Sequence, residues 1–135
     1  MTTAKQVSLR IRSQEDVVMV RQAVRGSAVE LGLSLIDQTK VVTAASELAR
    51  NTFTHGGGGN VLIEHLENSG RRGLRLSFED RGPGIADIDW ALTDGYTTGN
   101  GLGLGLGGAK RLSSEFSIRS ELGKGTCVVI TRWKG

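Results

Sequence analysis

The sequence predicts an α+β two-layer sandwich, within the broad α/β class: a mixed, mostly antiparallel sheet with its helices packed on one face. Three observations lead there. Five short runs alternate apolar and polar residues, as half-buried strands do, and glycine turns join several of them into hairpins. Two longer runs near the N-terminus repeat apolar residues every three or four positions, as amphipathic helices do. The chain has 135 residues and 38% hydrophobic content, which suits a single core and a single domain over residues 1–135.

Taken in order, Val7, Leu9 and Ile11 alternate with Ser8 and Arg10, a first strand. Ser13 precedes Asp16 by three residues, a helix-start pattern. Val17, Val20, Val24, Ala28 and Leu31 then mark a helix that should stop near Gly32. Ser34 opens the next, whose stripe is Val41, Ala45, Leu48 and Thr52 and which ends at His55 and the run Gly56 to Gly59. Val61, Ile63 and His65 form a strand, Asn68-Ser69-Gly70 a turn, and Leu74, Leu76 and Phe78 the returning strand.

From Ile85 to Gly101 the periodicity fades, which predicts a long loop with about one helical turn. Leu102, Leu104, Leu106, Ala109 and Leu112 predict a helix in spite of its glycines. Phe116, Ile118 and Ser120 give a strand, Gly123-Lys124-Gly125 a turn, and Cys127, Val129 and Thr131 the final alternation. Cys127 is thus expected as a small core residue.

Composition narrows the function. One cysteine excludes an internal disulfide and suits a reducing, cytoplasmic setting. No apolar run approaches the roughly 20 residues that span a bilayer, and residues 1–13 lack the apolar core of a signal peptide, so no membrane role is expected. The net charge of +3 is dispersed and aromatics are few, which argues against nucleic acid and leaves an acidic protein surface as the better partner for the basic residues.

Three segments carry chemistry. Glu47 and Asn51 lie one helical turn apart on one face, with His55 continuing the row. An amide oxygen suits Mg²⁺, and a neighbouring carboxylate suits proton abstraction or the holding of a water; the same spacing also occurs on any solvated helix face. Asp80 ends an apolar strand at Asp80-Arg81-Gly82-Pro83-Gly84-Ile85. Its carboxylate could accept from the amino group of an adenine ring, while Gly82 and Gly84 leave side-chain space for a base and Pro83 stiffens the turn. The segment Gly101-Leu102-Gly103-Leu104-Gly105-Leu106-Gly107-Gly108 puts glycines where a helix must begin, at about 1 kcal/mol each relative to alanine. Phosphate on helix N–H groups would account for them, though the string matches neither the Walker pattern nor the dinucleotide fingerprint. Thr126 follows the last hairpin, where it could support Asp80 or a water on the base.

Together these residues resemble the GHKL ATPase superfamily. Glu47-x-x-x-Asn51-x-x-x-His55 resembles its N box, Asp80-x-Gly82-x-Gly84 its first glycine box, Gly101-x-Gly103-x-Gly105 its second, and Gly125-Thr126 its closing element. Ser46 to Asn51, Gly105 to Leu112, Glu79 to Ile85 and Asp94 to Thr98 resemble the anti-sigma-factor serine kinase group, and within it the stressosome switch serine/threonine kinases. The resemblance implies a Bergerat fold holding ATP and Mg²⁺, with Glu47 the catalytic carboxylate and Asn51 the metal ligand. It implies nucleotide contacts from Asn51, Asp80, Gly82, Gly84, Ile85, Gly101, Gly103, Gly105 and Thr126, with Lys110 as a helper. The implied partners are a STAS-domain protein as substrate, on a stressosome-like scaffold, and a serine phosphatase as the alternative partner. A histidine autokinase would need paired phosphoacceptor helices, for which the chain has no room, and a gyrase-like machine a second domain. The rival reading is a nucleotide-gated binding module that sequesters a partner or activates a phosphatase without phosphotransfer. Glu47 favours the kinase, since binding alone needs no base.

Overall fold

The computed structural model describes residues 1–86, 88–92 and 105–134. Its elements are β1 (Thr2–Ile11), α1 (Gln14–Glu30), α2 (Leu35–Thr54), β2 (Gly59–Asn68), β3 (Arg71–Asp80), α3 (Ile88–Ala91), α4 (Gly105–Arg111), β4 (Glu115–Glu121) and β5 (Gly125–Trp133). One five-stranded sheet runs in the order β1-β2-β3-β5-β4, and every neighbouring pair is antiparallel. Among the described residues the sheet is therefore wholly antiparallel.

Both long helices begin as their sequences direct. The Ser13 hydroxyl accepts from the Asp16 N–H at 3.1 Å, and the Asp16 carboxylate accepts from the Arg12 N–H at 2.9 Å, so two otherwise orphaned donors are satisfied reciprocally. Ser34 caps α2 through the Asp37 N–H at 3.1 Å. Between the helices Gly32 adopts φ +77°, a left-handed stop that glycine takes without strain.

The core lies between the helices and one sheet face. Val20, Val24, Val41, Ala45 and Leu48 meet Ile63, Leu76, Phe78, Val128 and Ile130, all essentially removed from water. The α2 stripe is wider than expected, because α2 packs on α1, on α4 and on the sheet at once, which buries Val42, Ala44 and Ala49 too.

The phase of β5 corrects the sequence reading. Val128 and Ile130 face the helices, opposite Phe78 and Leu76 in register, so Cys127 lies half-buried on the other sheet face and is not a core residue. Cys127 to Ile130 is apolar at every position, and alternation cannot set a phase in such a run. The single turn α3 falls inside the expected loop. The predicted helix is described from Gly105 onward, with Leu102 and Leu104 outside the described residues. Among the described residues no helix is long and apolar enough to cross a membrane.

An ion pair ties the layers at the far end of α2. Arg132 of β5 donates to Asp37 at 2.7 Å, with both side chains largely covered. That hydrogen bond is the main cause that holds the Asp37 carboxyl below its ordinary range. A depressed folded value adds stability that is complete above the unfolded value, about pH 4, and that fades as pH falls through the folded value. Asp37→Asn is therefore expected to lower stability at pH 7, with the deficit closing only below about pH 4, as urea unfolding at several pH values would show. Leu76→Ala, in the middle of β3, should cost about 2–5 kcal/mol in the same assay.

Candidate functional site

A cleft opens where the C-terminal end of α2 meets the end of the sheet. Leu48, Phe78, Ile85, Leu106 and Val128 supply apolar walls, and Asn51, His55, Asp80 and Thr126 supply polar groups, with Thr52 and Gly105 completing the lining. Mostly apolar walls with a few placed polar groups suit a flat heteroaromatic ring. Of the residues the sequence singled out, Asn51, His55, Asp80, Ile85, Gly105 and Thr126 line this one cleft.

Asp80 is the last residue of β3, flanked in register by Gly59 of β2 and Thr126 of β5. Its Oδ1 accepts from the Gly82 N–H at 2.9 Å, which folds the chain back on itself. Main chain crowds this carboxylate. A Cβ on Gly56 would stand 2.5 Å from Asp80 Oδ2, and one on Gly82 would stand 2.7 Å from the Gly56 carbonyl oxygen. At Gly84 (φ +79°) the space is filled by the Glu121 main chain. The absent side chains of Gly82 and Gly84 thus make room for neighbouring backbone, where the sequence reading had placed a base.

Glu47 does not line the cleft and adjoins it through Gly105. Its Oε2 accepts from the Gly105 N–H at 3.3 Å, and its Oε1 accepts from Arg50 at 3.1 Å. The carboxylate is thereby stationed where α4 begins, one turn before Asn51 on α2. Gly101 and Gly103 lie outside the described residues, as do Asp94 to Thr98. Lys110 is exposed on α4 and does not line the cleft.

The structure also draws in His55, which the sequence placed in one row with Glu47 and Asn51, and two residues that the sequence did not single out, Gly56 and Ser120. His55 lines the cleft with its Nε2 buried and without a hydrogen-bond partner among the described residues, an orphan that a polar ligand atom would satisfy. Gly56 matters through its contact with Asp80, and Ser120 by bonding to Ile85 and Thr126; only tertiary structure reveals either. Among the described residues no three His, Cys, Asp or Glu side chains gather as a metal site. Mg²⁺ keeps several waters and takes substrate phosphate oxygens, so one amide oxygen such as that of Asn51 is compatible with it.

The orphaned His55 nitrogen, the apolar walls and the Asp80 acceptor fit a purine nucleotide, and comparison with known proteins points the same way. The profile of the histidine kinase-, DNA gyrase B- and HSP90-like ATPase family matches residues 36–134. Serine/threonine-protein kinase RsbT of Bacillus subtilis is 44% identical over 128 residues, covering 95% of this chain and 96% of that protein. An anti-sigma F factor of Clostridium kluyveri is 30% identical over 126 residues, covering 90% and 89%. In structure, the chain superposes on the RsbU and RsbW domains of a Mycobacterium tuberculosis protein with a TM-score of 0.66 and 23% identity. That match covers 96% of this chain and 32% of the other, so the chain spans about a third of it. The catalytic domain of histidine kinase ThkA follows at TM-score 0.53 and 15% identity, over 95% and 96%. These two likenesses concern the fold.

Gly56→Ala should force the Asp80 carboxylate aside and deprive the Gly82 N–H of its acceptor. Amide hydrogen exchange at Gly82 is expected to quicken by about tenfold or more, the equivalent of a hydrogen bond of roughly 1.4 kcal/mol. Unchanged exchange would mean that the main chain yields without loss.

Proposed function

Because the chain belongs to the histidine kinase-, DNA gyrase B- and HSP90-like ATPase family, we propose that its cleft takes ATP and that it transfers the γ-phosphoryl group to a protein. It is a protein serine/threonine kinase acting in partner-switching control of bacterial stress signalling. The observation that supports this reading is a carboxylate, Asp80, in the cleft, with a second, Glu47, outside its lining but bonded to Gly105, which lines it. Asp80 is at the sheet end, among apolar walls, and Glu47 is where α4 begins.

In this reading Asp80, an acceptor fixed by the Gly82 amide, takes the exocyclic amino group of the base. Phe78, Ile85 and Val128 exclude water from the ring, and Thr126 meets its edge. Asn51 offers the oxygen that holds Mg²⁺, and the His55 Nε2 bonds to a polar atom of the nucleotide. When bound, Mg²⁺ neutralises phosphate charge and orients the transferring group. Gly101, Gly103 and Gly105 offer main-chain N–H groups to the phosphates, that of Gly105 by leaving the Glu47 carboxylate it bonds to without ligand, and Gly82 and Gly84 contact the nucleotide from the base side. Glu47 accepts the proton of a seryl or threonyl hydroxyl as its oxygen bonds to the γ-phosphorus. The bond from that phosphorus to the β,γ-bridging oxygen breaks, and ADP leaves.

The acceptor is proposed to be a STAS-domain protein on a stressosome-like scaffold, with a serine phosphatase as the alternative partner and the cytoplasm as the place of action. Similarity to RsbT and to anti-sigma F factors supports protein partners of this regulatory kind.

The test follows label from γ-labelled ATP and Mg²⁺ to a STAS-domain protein. Glu47→Ala should keep nucleotide affinity and lower transfer by at least about 100-fold, the scale of a lost general base. Asp80→Asn should lose nucleotide affinity by at least about tenfold, because an amide in that place can present a donor to a donor. Equal transfer by wild type and Glu47→Ala would remove the base assignment. Binding without transfer in the wild type would leave a nucleotide-gated switch.

A further inference from the structure

The turn that follows Asp80 is clamped to the β4–β5 hairpin. The Gly123 N–H donates to the Pro83 carbonyl at 2.9 Å, and the Ile85 N–H donates to Ser120 Oγ at 2.7 Å. Ser120 stands on β4 opposite Thr126 of β5, its oxygen 2.8 Å from Thr126 Oγ1 and 3.2 Å from the Gly125 carbonyl oxygen. Ser120 does not itself line the cleft, but it bonds to two residues that do, Ile85 and Thr126.

A serine hydroxyl has one hydrogen and two lone pairs. The Ile85 amide occupies one lone pair, and two acceptors compete for the hydrogen. If it goes to Gly125, Thr126 donates to Ser120 and offers the cleft only a lone pair. If it goes to Thr126, over the shorter distance, the hydrogen of Thr126 is left to point into the cleft. Thr126 is only 8% exposed, so water competes little for that hydrogen. A hydroxyl that already accepts a bond also donates more strongly.

We propose that Ser120 is a positioning residue for the base: it donates to Thr126 and so makes Thr126 a donor at the ring edge. This rests on the reading that the cleft takes ATP. Adenine carries an amino donor beside an unprotonated ring nitrogen, the complement of an acceptor at Asp80 and a donor at Thr126. Guanine carries a carbonyl and a ring N–H in those places, the reverse pattern. On this proposal Asp80 and the Ser120–Thr126 pair read the base together, and the hydroxyl pair reads the ring nitrogen.

The test titrates the full chain by calorimetry with ATP and with 1-deaza-ATP, in which that ring nitrogen is a C–H. Wild type should prefer ATP by about tenfold, one hydrogen bond's worth. Thr126→Val should bring ATP down to the affinity of the analogue, with a ratio near 1, while Ser120→Ala, which leaves the Thr126 hydroxyl present but unoriented and no longer strengthened by an accepted bond, should narrow the ratio to about threefold. The double variant should lose no more than Thr126→Val alone. Without nucleotide, Ser120→Ala should also speed Ile85 amide exchange by about tenfold or more, a readout independent of catalysis. A Ser120→Ala protein that weakens both nucleotides equally and keeps the ratio would overturn the proposal and leave Ser120 a mere strut. Failure of the wild type to bind ATP would instead overturn the ATP reading, and the two failures cannot be confused.

Discussion

The carboxylate of Asp80 is walled in by backbone, and most of the site depends on how closely that backbone approaches. Gly56 from the end of α2, Gly82 from the following turn and Gly125 from the start of β5 converge on it, each where a single added carbon would collide with main chain or with the carboxylate. Such contacts cannot be relieved by rotating a side chain, so three separate elements are fixed relative to one acid. The central place of β3 in the sheet makes this possible. With β2 on one side and β5 on the other, the end of β3 cannot drift.

From that fixed point the cleft grows outward by a division of labour. Apolar side chains from four elements and a loop make the walls, and their own packing holds them still. Polar groups are few, and three in or beside the cleft are set by a neighbour: Asp80 by the Gly82 amide, Thr126 by Ser120, Glu47 by Arg50 and the Gly105 amide. Preorganisation of this kind lowers what a ligand must spend on ordering its receptor. His55 differs from these three. Its Nε2 is covered and unsatisfied, and that deficit is removed when a polar atom enters.

Much of this was legible in the residues themselves. Both long helices announced their starts through Ser13 and Ser34, and β3 announced its inward face through Leu74, Leu76 and Phe78, because each signal is local and unambiguous. The spacing of Glu47, Asn51 and His55 and the Asp80 turn marked the site for the same reason. What stayed hidden depends on pairing across space. The phase of β5 is set by its register with β3, and an unbroken apolar run carries no trace of it. Gly56 was legible as a helix stop and not as a contact of Asp80, and Ser120 was an ordinary serine in a strand until β4 was laid beside β5.

The ion pair between Asp37 and Arg132 takes on another meaning once the lengths of its two carriers are compared. From Asp37 to Asn51, α2 advances about 21 Å at 1.5 Å per residue. From Arg132 back to Thr126, β5 advances about 20 Å at 3.3 Å per residue. The two members are thus rails of nearly equal length, joined at one end by a charged cross-tie and parted at the other by the cleft. In such a frame the far joint fixes where the start of α2 stands relative to the end of β5, away from the opening itself.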